Sequence, residues 1–215
     1  MCDKISTDEL QLPMMDLPSM TPQIVCVKND LYLYNDINQD TAKNVISSLY
    51  DMALTIINSC LNNGFELIPI NIHINSNGGS VPDALAIINC IEKIKSGYIG
   101  SIGKIKVPIE VNTFIEGEAD SCASLIAVVG SKRYMNKYSL SLIHPARQIT
   151  NGYSSEKVAD IEANAENLKM FQQIIEDIYL EHSKASKKQI KELMSTEKYS
   201  SPADLLKLGI IDSII

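Results

Sequence analysis

Leu67-Ile68-Pro69-Ile70-Asn71-Ile72-His73-Ile74-Asn75-Ser76-Asn77-Gly78-Gly79-Ser80 reads as a β-branched strand that runs into a paired-glycine turn. Directly after it, Pro82 to Ile94 carries apolar residues at helical spacing. A strand, a tight turn and a helix in that order form one βα unit, and the rest of the chain repeats the theme. Upstream, Ile24–Val27 and Leu31–Tyr34 are strand-like on either side of a break at Lys28-Asn29-Asp30. Ala42 to Leu61 follows, with Val45, Ile46, Leu49, Met52, Ala53, Ile56 and Ile57 on one helical face and Asp40 or Thr41 as its cap.

Downstream, Ser96 to Lys106 is a glycine-spaced connection, Val107 to Ile115 is a strand, and Gly117 opens a small-residue turn into the apolar run Ala123–Val129. A short strand, Ser139–Ile143, ends at His144-Pro145. Glu156 to Ser183 contains no Gly or Pro and is the longest helical stretch; a helix at Lys187–Met194 and a last helix and strand within Ala203–Ile215 complete the chain. Alternating strands and helices predict a single α/β domain with covered parallel strands. Residues 1–22, proline- and methionine-rich without sustained periodicity, predict a flexible or partner-contacting N-terminal arm.

Composition narrows the chemistry. The 215 residues suit one domain plus a tail, and 45% hydrophobic with 21% charged residues is globular. A net charge of -7 disfavours nucleic acid, whose binders need a basic footprint. No apolar run is long enough to span a membrane, and Met1-Cys2-Asp3-Lys4 lacks the features of a signal peptide, so a cytoplasmic location is expected. The five cysteines form no metal-binding spacing and read as reduced thiols, most of them buried.

Three strand ends carry candidate chemistry. Asn77-Gly78-Gly79 is either a plain tight turn or a place where exposed N–H groups hold a phosphate or an oxyanion; no Walker or dinucleotide fingerprint follows it. Gly117-Glu118-Ala119-Asp120-Ser121-Cys122-Ala123-Ser124 has the make-up of a nucleophile elbow without the strict Gly-x-Ser-x-Gly, and Ser121 is equally read as a helix cap. Of the three histidines, His182 reads as solvated and His73 as a satisfied strand residue. His144 sits at a strand terminus, from which an imidazole reaches a neighbouring strand.

Taken in order, Asn75–Gly79, Gly117–Ser121, Tyr138-Ser139-Leu140-Ser141-Leu142-Ile143-His144-Pro145, Met194–Ser201 and Leu208–Ser213 resemble the motifs of the proteolytic subunit of Clp protease, ClpP, and the resemblance reaches back to Leu31. It implies a crotonase-like ββα superhelix over residues 23–215 and a serine endopeptidase that needs no cofactor and no metal. It also implies a chamber of stacked heptameric homo-oligomeric rings, fed with unfolded polypeptide by a AAA+ unfoldase. Ser121 would be the nucleophile, His144 the general base, and the N–H groups of Gly79 and Cys122 the oxyanion hole. Ungapped matching places Glu197 where the family has its aspartate, with Asp160, Asp204 and Asp212 as alternatives. The helix near 156–183 would be the ring-to-ring handle, and residues 1–22 would lie by the axial pore.

The chain departs from the family beside the chemistry. Asp120 stands where alanine is usual and would raise the base's pKa, repel the oxyanion or point to solvent. Cys122 replaces methionine, Ser80 an aliphatic, and no glutamine follows His144; Ser96–Lys106 reads as an insertion. A catalytically silent ring subunit is therefore a second reading, and an acyl-CoA enzyme on the same scaffold a third.

Overall fold

The computed structural model describes residues 24–98, 106–147 and 158–215. Strand β1 (Val25–Val27) and β2 (Asp30–Leu33) form a hairpin; then come helix α1 (Gln39–Asn63), β3 (Ile70–Ser76), α2 (Val81–Lys95), β4 (Val111–Ala119), α3 (Cys122–Val128) and β5 (Arg133–Met135). The chain continues through β6 (Ser141–Leu142), α4 (Val158–His182), α5 (Lys187–Thr196), β7 (Tyr199–Ser200), α6 (Pro202–Leu208) and β8 (Ser213–Ile214). The main sheet has the order β1-β2-β3-β4-β5-β8, parallel apart from the β1–β2 hairpin. A second, small set of pairings lies beside it: antiparallel β6–β7 and the isolated parallel bridges Ile37↔Gly79 and Glu118↔Leu140. This α/β architecture agrees with the expected fold class. Among the described residues no helix is long and apolar enough to cross a membrane.

Strict alternation in β3 explains the layering. Ile70, Ile72, Ile74 and Ser76 are buried against the helices, while Asn71, His73 and Asn75 face the other way and are half-buried. Among the described residues one face of the sheet is thus more deeply covered than the other. On the less covered face Tyr32, His73, Phe114 and Tyr134, directly opposite one another on four adjacent strands, stack ring on ring at centroid distances of 4.7, 4.9 and 4.7 Å. The His73 ring is also held at both ends, by Glu116 at 2.7 Å and Asp30 at 3.2 Å. It is a satisfied strand residue.

Element ends differ from expectation where a single residue overrides periodicity. The α1 cap is Asn38, whose side chain accepts from Thr41 N at 2.9 Å, so the helix starts before Ala42. Pro69 delays β3 to Ile70 and leaves Leu67 and Ile68 exposed, and β4 starts only after Pro108. Strands β5 and β7 were not anticipated. Of the four described cysteines only Cys90 and Cys122 are buried; Cys26 is exposed. Residues 1–22 and the centre of the Ser96–Lys106 connection lie outside the described residues.

His182, expected to be solvated, is half-buried. Burial, and next the charge of Lys95, push its imidazole below the usual value. Its carbonyl accepts from Arg133, which clasps Asp212 with Nε and Nη2 at 2.8 and 2.6 Å. That pair, whose hydrogen bonds hold Asp212 below the usual carboxylate range, ties β5 to the C-terminal strand. A carboxyl with a depressed folded pKa stabilises above its unfolded value of about 3.9 and loses that contribution as pH falls through the folded pKa. Asp212→Asn is expected to cost up to about 1 kcal/mol at neutral pH, because the carboxylate is partly exposed. Denaturant melts should show the difference from wild type closing as the pH is lowered below about 4.

Candidate active site

The paired-glycine turn between β3 and α2 is built by backbone geometry and one serine side chain. Gly78 and Gly79 have φ of +89° and +148°. A Cβ on Gly79 would lie 2.1 Å from Ile37 O, and one on Gly78 would lie 2.5 Å from Asp120 O. Ile37 grips the turn from both sides, donating to Gly78 O at 2.8 Å and accepting from Ser80 N at 2.8 Å. Ser76 Oγ receives Gly78 N at 3.1 Å and donates to Asn35 O at 2.7 Å.

At the end of β4 the chain bends sharply into α3. Ser121 sits at the bend with φ 51° and ψ -122°, a strained conformation for a residue with a Cβ. Its side chain makes no capping hydrogen bond, so its hydroxyl is not spent on starting the helix. The backbone around it is pinned: Asp120 N to Ser76 O at 3.0 Å, Ser121 N to Leu142 O at 2.7 Å, and Ser124 N to Ser121 O at 3.1 Å. Ser124 Oγ also donates to Ser121 O at 2.5 Å and meets the Tyr179 hydroxyl of α4 at 2.5 Å. Tyr179 is fully buried, and burial raises its phenol.

His144 follows β6 and is half-buried. Its Nδ1 lies 2.7 Å from Pro145 O. A carbonyl only accepts, so Nδ1 carries the proton and the neutral ring keeps its lone pair on Nε2. Gly79, Ser121, Cys122, His144, Arg147 and Tyr179 line one cleft of about 340 Å³. Among the described residues the Gly79 and Cys122 N–H groups find no acceptor. The Cys122 thiol, raised by burial, donates to Gly79 O at 3.2 Å and stays protonated. A larger cavity of about 640 Å³ lies beside α1 and the β1–β2 hairpin and holds none of these groups.

The carboxylates sort differently. Glu197, exposed and left-handed at the end of α5 (φ 48°), pairs with Arg147, and that hydrogen bond lowers its carboxyl. The structure therefore brings Ser121, His144, Gly79 and Cys122 into one cleft, with Glu197 at its edge and turned to Arg147. Asp204 caps α6 through Ser201 and Asp212 serves Arg133, so both are committed elsewhere. The side chain of Asp160 lies outside the description. Asp120 does not point to solvent: it is 5% exposed and its Oδ1 accepts from Leu142 N at 2.8 Å. Burial raises its carboxyl, with Leu142 N–H opposing.

Arg147 and Tyr179 were not singled out from the sequence. Tyr179 blends into the apolar face of its helix, and Arg147 was visible only as a basic residue shortly after His144.

What this cleft offers, among the described residues, is a hydroxyl on a strained strand-to-helix turn, an imidazole whose Nε2 has no partner, and two N–H groups without acceptors, in the order glycine turn, serine, histidine. The family model for Clp protease matches residues 23–215. On that match and this architecture, the chain belongs to the Clp protease family.

Proposed function

We propose that the protein is a serine endopeptidase that works inside a ring-shaped chamber. The observation that carries this reading is Ser121: a strained turn holds a hydroxyl with no capping role in the same cleft as His144. Ser121 Oγ attacks the peptide carbonyl carbon while His144 Nε2 takes its proton. The oxyanion that forms is received by the N–H groups of Gly79 and Cys122. As the C–N bond breaks, His144 returns the proton to the leaving amine, and water then releases the acyl group by the same route. Glu197 is the carboxylate that orients His144 once it leaves Arg147; until then the Pro145 carbonyl holds the Nδ1 proton in place.

The finer features belong to the same proposal: unfolded polypeptides as substrates, a AAA+ unfoldase as partner, stacked heptameric rings, residues 1–22 at the axial pore and a cytoplasmic location. One observation supports the ring-to-ring handle. In α4 every residue from Glu162 to Met170 is exposed, apart from half-buried Asn164 and Leu168, whereas Ile175, Glu176 and Tyr179 are buried. That stretch of the helix thus finds little cover among the described residues.

A silent ring subunit is the second reading, favoured by the Glu197–Arg147 pair. Treatment of the assembled protein with a fluorophosphonate separates the two. Modification at Ser121, lost in His144→Ala, is expected; an unmodified Ser121 in the assembled wild type would leave only the silent subunit.

A further inference from the structure

Strand β6 is laid onto the end of β4 by a short parallel ladder. Leu140 N donates to Gly117 O at 2.9 Å, Ala119 N to Leu140 O at 3.1 Å, and Ser121 N to Leu142 O at 2.7 Å. A regular ladder would include one more rung, from Leu142 N to Ala119 O. That rung is missing because the chain turns away at Asp120-Ser121. Ala119 O instead accepts from Ser141 Oγ at 2.5 Å, and Leu142 N donates to Asp120 Oδ1 at 2.8 Å. A side chain has taken the place of a backbone carbonyl. This rung lies at Leu142, the last residue of β6, two residues before His144.

We infer that Asp120 is a positioning residue: its carboxylate supplies the acceptor that the bent backbone cannot, and so fixes the strand carrying His144 against the Ser121 turn. The inference rests on the peptidase reading above. A carboxyl that is 5% exposed is costly to bury for electrostatic reasons alone. Its hydrogen bond across to β6 is the structural return for that cost, because the alternative is a β6 N–H with no partner. The alanine usual in the family at this position makes no such bond, so the departure noted in the sequence marks a substitute way of holding the same two strands. Asp120 itself touches neither substrate nor the reacting atoms; it acts through Leu142 and His144.

Two variants of the full chain test this. Asp120→Asn keeps the shape and a carbonyl acceptor, whereas Asp120→Ala removes the acceptor. In the alanine variant the rate of Ser121 modification at saturating fluorophosphonate is expected to fall roughly 30-fold, with the half-saturating concentration unchanged. Amide exchange at Leu142 should accelerate by about tenfold or more. Asp120→Asn should stay within about threefold of wild type in both measurements, a rescue that loss of charge alone does not allow. Wild-type modification rates in Asp120→Ala, or an asparagine variant as slow as the alanine one, would overturn the inference. If wild-type Ser121 is never modified, the peptidase reading fails by itself. Leu142 exchange then decides the clamp, and an unchanged rate in Asp120→Ala would reject it.

Discussion

Ser121→Ala is expected to abolish cleavage of unfolded polypeptide, with a loss on the order of 10⁴- to 10⁶-fold in rate. Fold stability should barely change. The hydroxyl makes no capping bond, and the contacts that hold the turn run through the Ser121 backbone N–H and carbonyl, which alanine keeps. Serine and alanine also carry the same Cβ into the strained φ of 51°. A degradation assay on an unfolded protein substrate, read beside a thermal melt, separates loss of chemistry from loss of fold. Retained cleavage would move the nucleophile elsewhere, and Cys122 is the neighbouring candidate. Its buried, protonated thiol makes that outcome unexpected, and insensitivity of wild-type cleavage to a thiol alkylating agent is the corresponding check.

Gly79→Ala should be nearly as damaging to activity and far more damaging to the fold. The added methyl would sit 2.1 Å from Ile37 O and 2.9 Å from Ile37 C, both backbone atoms that also hold the turn in register. Neither can retreat without breaking the Ile37–Ser80 or Ile37–Gly78 bond, and a φ of +148° is hostile to any Cβ. A cost of about 3 kcal/mol or more is expected, together with loss of Ser121 modification as the Gly79 N–H is re-aimed. Gly64→Ala provides the control. It also has positive φ, +68°, but nothing lies within 4 Å of the new methyl, so only the left-handed penalty of about 1 kcal/mol applies. Denaturant midpoints of the two variants should differ accordingly; equal midpoints would mean that the Ile37 contact is soft.

The parts of the fold legible in the sequence are those in which one signal acts over many residues or one residue type has few alternatives. The isoleucine alternation of β3, the paired glycines after it, and the small-residue run around Ser121 each point to a single local structure. His144 was readable because it ends a strand. What stayed hidden depends on contacts between distant segments. Strand β5, with three residues starting at Arg133, has no periodicity and exists because β4 and β8 pair with it. The two residues of β7 are strand only because β6 lies alongside. Asp120 was recognised as out of place, but its direction follows from a turn angle at Ser121 that no composition reveals. In the same way, the Glu197 partner depends on where Arg147 ends up, and the half-burial of His182 on a packing surface shared with Arg133 and Lys95.

The bonds that shape the cleft also decide when it can exist during folding. Ile37 to Gly78, Ser76 to Asp120 and Ser121 to Leu142 each join segments that are far apart along the chain. No stretch leaving a ribosome early contains both members of all three, and long-range closures of this kind are made late. A partly synthesised or partly folded subunit therefore has a serine and a histidine but no arranged pair. Closure of these three long-range contacts is what assembles the cleft, so on the peptidase reading proposed above the fold itself delays the activity until the chain has folded.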